Sequence, residues 1–136
     1  MRTRKAKILI VEDDVQIRLL LSTILEGAGY TVRPAADGFS ALEEMRAESP
    51  DILLSDLYMP GMSGFELLSI VRNQFPATRV VAMSSAFSGE DLPKEVVADA
   101  FYPKATDIVG LLQIMEAITG LDGSQSALPN QAVLRM

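Results

Sequence analysis

The chain alternates between two kinds of segment, and this alternation limits the folds open to it. Short apolar runs are separated by longer stretches in which apolar residues return every three or four positions. Lys7-Ile8-Leu9-Ile10-Val11 reads as a fully buried strand, ended by Glu12-Asp13-Asp14. Ile17, Leu20, Leu21, Ile24, Leu25 and Ala28 then form an amphipathic helical stripe, closed by Gly27 and Gly29. Tyr30 to Arg33 reads as a second strand ended by Pro34. Phe39, Leu42 and Met45 mark a second helix that stops before Ser49-Pro50. Asp51 to Ser55 is the third strand, and Phe65, Leu68, Val71 and Phe75 mark a helix stopped by Pro76. Val80 to Met83 and Phe101-Tyr102 supply two more strands. Ile108, Leu111, Leu112, Met115 and Ile118 make a last helix, ended by Gly120. This spacing predicts an α/β fold, a doubly wound parallel sheet with helices on both faces.

Two segments fit the alternation less well. Between the fourth and fifth strands only Pro93 offers a helix start, so any fourth helix there is expected to be short or irregular. Residues 121–136 lack a helical stripe and are rich in Gly, Ser, Gln, Asn and Pro. They are read as a mobile C-terminal tail following a domain over residues 1–120. No internal repeat or central linker is visible.

Composition removes several classes of function. The chain has 136 residues, the size of one domain, and 49% of them are hydrophobic, enough for a core without staples. It has no Cys and no His, which excludes disulfides, thiol chemistry, His-assisted nucleophiles and His/Cys zinc sites. A net charge of −6 argues against a nucleic-acid-binding surface. The first apolar run is far too short for a membrane span or a signal peptide. A soluble, cytoplasmic protein is expected.

The polar residues gather where parallel sheets bind ligands, beyond the carboxyl ends of the strands. Strand one ends in Glu12, Asp13 and Asp14, strand three in Asp56, strand four in Ser84 and Ser85, and strand five in Lys104. If strands one and three are neighbours, carboxylates crowd together and repel. A hard divalent cation such as Mg²⁺ relieves this, taking oxygen ligands. It also keeps Asp56 ionised, and so able to attack phosphorus. Lys104 and Ser84 are suited to neutralise and bind a phosphoryl group. Each residue also has a plainer explanation. Asp13 or Asp14 could cap the first helix, and Asp13 with Gln16 fits a capping box. Asp56 could be a turn residue before Met59-Pro60-Gly61, Ser84-Ser85 a loop, and Lys104 a solvated side chain. Tyr58 to Gly61 reads as a proline turn with Gly64 opening the helix, and the Tyr58 carbonyl is the candidate to face a metal.

At these residues the chain resembles the receiver domain of bacterial two-component response regulators, over about residues 6 to 119. "KILIVEDD" is similar to the family's acidic first-strand motif, and "DILLSDLYMPGMSGFELL" to its phosphoacceptor strand and loop. "VVAMSS" resembles the fourth strand with its switch hydroxyl, and "DAFYPK" the fifth with its lysine. The resemblance implies a flavodoxin-like five-stranded sheet of order 2-1-3-4-5. It implies Asp56 as phosphoacceptor, and Mg²⁺ held by Glu12, Asp13, Asp56 and the Tyr58 carbonyl, with Asp13 a direct ligand. Ser84 and Lys104 would bind the phosphoryl group, and Phe101 takes the place of the switch aromatic. The donor would be a sensor histidine kinase or phosphotransfer protein, the output a separate protein, and a homodimer could form on activation. Three features depart from the family pattern. Ala105 follows Lys104 where Pro is common, Phe101 has no hydroxyl, and the stretch from Ser84 to Lys104 is short.

Two other functions compete with a phosphorylation-switched receiver lacking its own output domain. One is a pseudo-receiver that binds proteins without phosphate; the intact set of Glu12, Asp13, Asp56, Ser84 and Lys104 argues against it. The other is an aspartate-nucleophile phosphatase. Such enzymes carry a second Asp two residues after the nucleophile, where this chain has Tyr58. The chain is therefore expected not to be an enzyme, beyond assisting its own phosphotransfer and dephosphorylation.

Overall fold

A computed structural model describes residues 5–85, 98–104, 108–120 and 133–134. Five strands run parallel in the order β2-β1-β3-β4-β5: β1 (Lys7–Val11), β2 (Thr31–Ala35), β3 (Ile52–Asp56), β4 (Arg79–Ser84) and β5 (Ala100–Pro103). The helices α1 (Val15–Gly27), α2 (Gly38–Ala47), α3 (Gly64–Gln74) and α4 (Ile108–Thr119) alternate with them. A sixth strand, β6 (Val133–Leu134), lies antiparallel on the outer edge of β5. The helix expected around Pro93, the departure at Ala105 and the expected C-terminal tail, apart from residues 133–134, lie outside the described residues.

The period of two along each strand divides the core into two layers. Leu9 and Val11 of β1, Leu53 of β3, Val80 and Ala82 of β4 and Phe101 of β5 face α2 and α3. Ile8 and Ile10, Ile52 and Leu54, Val81 and Met83, and Ala100 and Tyr102 face α1 and α4. Because both faces are covered, these strands read as continuous apolar runs rather than alternating ones.

Several local expectations are corrected. The first helix is capped by Asp14, whose Oδ1 accepts from the backbone N–H groups of Gln16 (2.9 Å) and Ile17 (3.0 Å). Asp13 therefore makes no capping box with Gln16. Asp14→Ala is expected to lower stability by about 1 kcal/mol, measured by denaturant unfolding, through the loss of this cap. The second strand runs through Pro34 to Ala35, with Pro34 paired in register to Ile10. Proline is tolerated there because β2 is an edge strand, with a neighbour on only one side. The third strand is shifted one residue, and its last residue is Asp56. On α1 the buried stripe narrows to Leu21 and Leu25, while Leu20 joins Val15 and Leu19 among the exposed apolar residues. Among the described residues, no helix is long and apolar enough to cross a membrane.

Candidate functional site

The site is assembled by the ends of β1, β3, β4 and β5. The Glu12 N–H donates to the Ala35 carbonyl at 3.1 Å, prolonging the β1–β2 ladder by one residue. The chain then turns, and the Asp14 N–H donates back to Glu12 Oε2 at 3.0 Å. Arg18, one turn into α1, donates to the Glu12 carbonyl at 2.6 Å. Glu12 is therefore held at its backbone and at one carboxylate oxygen, and it is only 1% exposed.

Asp56 is fixed in a similar way. The Leu57 N–H continues the ladder to the Met83 carbonyl at 3.0 Å, and the Tyr58 N–H donates to Asp56 Oδ1 at 3.1 Å. The Tyr58 ring is half-exposed and stands edge-on to Phe65, with centroids 5.6 Å apart. On the far side, the Lys104 N–H donates to the Ser84 carbonyl at 3.0 Å, joining the ends of β4 and β5. That bond aims the Lys104 side chain across the strand tips. Its ammonium donates to Glu12 Oε1 at 2.7 Å and to Asp56 Oδ2 at 2.9 Å.

The carboxylates of Glu12, Asp13 and Asp56 each offer an oxygen, all within 4.8 Å of one another. Glu12 and Asp56 are buried and Asp13 is exposed. This oxygen-only set, with one face open to water, fits a hard cation of the Mg²⁺ type better than a soft metal. Ser84 sits buried at the tip of β4, and Phe101 is buried in β5. Glu12, Asp13, Asp56, Tyr58, Ser84 and Lys104 thus lie at one end of the sheet, while Phe101 sits three residues before Lys104 in the core layer facing α2 and α3. Asp14 and Arg18 were not anticipated as supports of Glu12. The only signal for them was their place in the first turn of an amphipathic helix.

Charge balance explains the titration of the pair. Burial pushes the Glu12 carboxyl up from its ordinary value, and the hydrogen bonds from Lys104 and Asp14 only partly oppose it. Burial would lower the Lys104 ammonium, but its hydrogen bonds to Glu12 and Asp56 prevail and raise it. Lys104 therefore stays charged at neutral pH. Glu12 has a folded pKa above its unfolded value. Its contribution to stability is present below about pH 4.5 and is lost as the pH rises through the folded value. Without Mg²⁺, Glu12→Gln is expected to gain stability relative to the parent as the pH rises from about 4.5 toward neutrality. Thermal melts of both chains across that range check the sign.

Comparisons with known proteins agree with this geometry. The sequence model of the response regulator receiver domain family matches residues 8–119. The DNA-binding transcriptional regulator NtrC of Escherichia coli K12 is 40% identical over 76 residues, 56% of this chain but only 16% of that protein. Sporulation initiation phosphotransferase F of Bacillus subtilis is 37% identical over 105 residues, 75% of this chain and 84% of that one. Among solved structures, the response regulator TrrA of Thermotoga maritima, in complex with Mg²⁺–BeF, superposes with a TM-score of 0.77 at 26% identity. That match covers 82% of this chain and 97% of the other.

Proposed function

The chain belongs to the response regulator receiver domain family, and from that premise we propose that Asp56 is its phosphoacceptor. Receivers of this family are signalling phosphoacceptors that work with histidine kinases or phosphotransfer proteins. The observation that carries the assignment is the Lys104 ammonium bridging two buried carboxylates, 2.7 Å from Glu12 and 2.9 Å from Asp56.

In this reading an Asp56 carboxylate oxygen attacks the phosphorus of a phosphohistidine. The new O–P bond forms as the P–N bond breaks, and the imidazole nitrogen leaves with the bonding pair. Glu12, Asp13, Asp56 and the Tyr58 carbonyl would hold Mg²⁺, which would supply charge neutralisation for the transferring phosphoryl group. The Tyr58 N–H on Oδ1, at 3.1 Å, fixes the orientation of the carboxylate. Lys104 supplies a positive charge from the β5 side, and the Ser84 hydroxyl supplies a donor at the tip of β4. Asp13, the exposed member, completes the cation site from the solvent side. The same groups assist later hydrolysis of the acyl phosphate by water. The Mg²⁺–BeF complex of the TrrA neighbour supports this assignment, because beryllofluoride imitates a phosphoryl group.

Phosphorylation adds charge and acceptor oxygens at the strand tips, and the output is a change in binding to a separate protein. We place this work in the cytoplasm, where histidine kinases present their phosphoryl groups. The test is intact-protein mass after incubation with a small acyl-phosphate donor. A gain of one phosphoryl group with Mg²⁺, lost when the metal is chelated, is the expected result. No gain in a folded chain would instead favour a protein-binding module that works without phosphate.

A further inference from the structure

The outer edge of β5 is paired over two residues, Ala100 with Leu134 and Phe101 with Val133. An open strand edge is a template for pairing with any extended segment. Here the chain's own C-terminal segment covers that edge. A two-residue strand is much shorter than an ordinary one, so the cover is weakly held and open to displacement.

The same short strand leads directly into Lys104. β5 pairs with β4 from Ala100 to Pro103, and the next residue bridges Glu12 and Asp56. The covered positions thus lie three and four residues before Lys104, roughly 10–13 Å of strand. A cation among the three carboxylates competes with Lys104 for Glu12. A phosphoryl group on Asp56 then gives Lys104 new acceptors toward the middle of the sheet. Its backbone N–H is anchored to the Ser84 carbonyl, so a pull on Lys104 draws the end of β5 toward β4 and away from β6.

We propose that the outer edge of β5 is a strand-addition surface, occupied in the resting chain by its own residues 133–134 and released when the carboxylate site is loaded. This inference rests on the receiver reading and adds a regulated surface to it. Coupling between two sites is reciprocal, so releasing the strap must favour loading by the same factor as loading favours release.

The test compares the full chain with one carrying both Val133→Pro and Leu134→Pro, changes that remove the donors β6 can offer. Amide hydrogen exchange at Ala100–Tyr102 and the affinity for Mg²⁺ with beryllofluoride are measured on both. The proline chain is expected to lose protection at the outward-facing β5 amides and to bind beryllofluoride about fivefold more tightly. Loading the parent chain is expected to speed exchange at the same amides. A synthetic peptide of residues 127–136, added to the proline chain, is expected to restore protection. Unchanged protection would overturn the strap, and lost protection with unchanged affinity would overturn the coupling. Protection that rises with protein concentration, alongside a dimer in light scattering, would replace the intramolecular strap with exchange between two copies. If neither chain binds beryllofluoride, the receiver reading falls and takes the coupling with it, while the amides still report separately on the strap.

Discussion

Asp56→Asn is expected to abolish phosphoryl uptake from a small acyl-phosphate donor, from one group per chain to none, in a protein that remains folded. The substitution preserves shape. The asparagine carbonyl can still accept the Tyr58 N–H now made by Oδ1 at 3.1 Å. What disappears is the nucleophile, because an amide has no anionic oxygen to attack phosphorus, and with it the acceptor that Oδ2 offers Lys104 at 2.9 Å. One of three crowded carboxylates also loses its charge, which weakens the cation site and relieves repulsion in the metal-free protein. The mutant is therefore expected to bind Mg²⁺ more weakly while unfolding within about 1 kcal/mol of the parent. Intact mass, a Mg²⁺ titration and a denaturant melt separate these three effects. Uptake at the parent's level in the asparagine chain would move the acceptor elsewhere. Asp13 would be the first place to look, as the exposed carboxylate of the cluster.

The candidate site was legible in the sequence because its members are single polar residues at strand ends. Apolar runs locate the strands, so the charged or hydroxyl residues at or just past the end of each run, Glu12, Asp56, Ser84 and Lys104 among them, are placed at the sheet's carboxyl edge without knowledge of the packing. Spacing of this kind does not reveal which side chains turn inward. Asp13 and Asp14 are adjacent and chemically alike, and only the path of the turn makes one a cap and leaves the other free for a metal. Pro34 is a strand breaker in a central position and harmless at an edge, and edge position follows from the strand order. Leu20 belongs to the helical stripe by spacing yet lies beyond the sheet's reach, and is 55% exposed. β6 has no signature of its own, since two residues of strand are defined by the edge that accepts them.

Gly64→Ala is expected to be the most damaging small substitution on this face, against the direction that helix propensity suggests. Alanine is favoured over glycine inside helices by up to about 1 kcal/mol, so sequence alone would score the change as stabilising. The packing reverses this. A Cβ built on Gly64 would lie 2.1 Å from the Asp56 carbonyl oxygen, 2.5 Å from Leu57 Cα and 2.9 Å from the Asp56 carbonyl carbon. All three are backbone atoms at the end of β3, so no rotamer change can make room. Retreat of α3 would also stretch the 3.0 Å bond from the Gly64 N–H to the Leu57 carbonyl and disturb the Ser63–Glu66 capping box at its start. A cost of about 3 kcal/mol or more is expected, as for severe overpacking, which for a chain of this size lowers the melting temperature by about 10 °C. Gly38→Ala is the matched control. Its added Cβ would meet Met62, with the flexible thioether sulfur nearest at 2.7 Å, and a methionine can swing aside. Its cost is expected near 1 kcal/mol. The glycine that admits α3 thus also sets the position of Asp56. Phosphoryl uptake by the folded fraction of Gly64→Ala should slow, while that of Gly38→Ala should stay near the parent's rate. Equal stability of the two variants would mean that α3 does not press on the phosphoacceptor strand as closely as the structure has it.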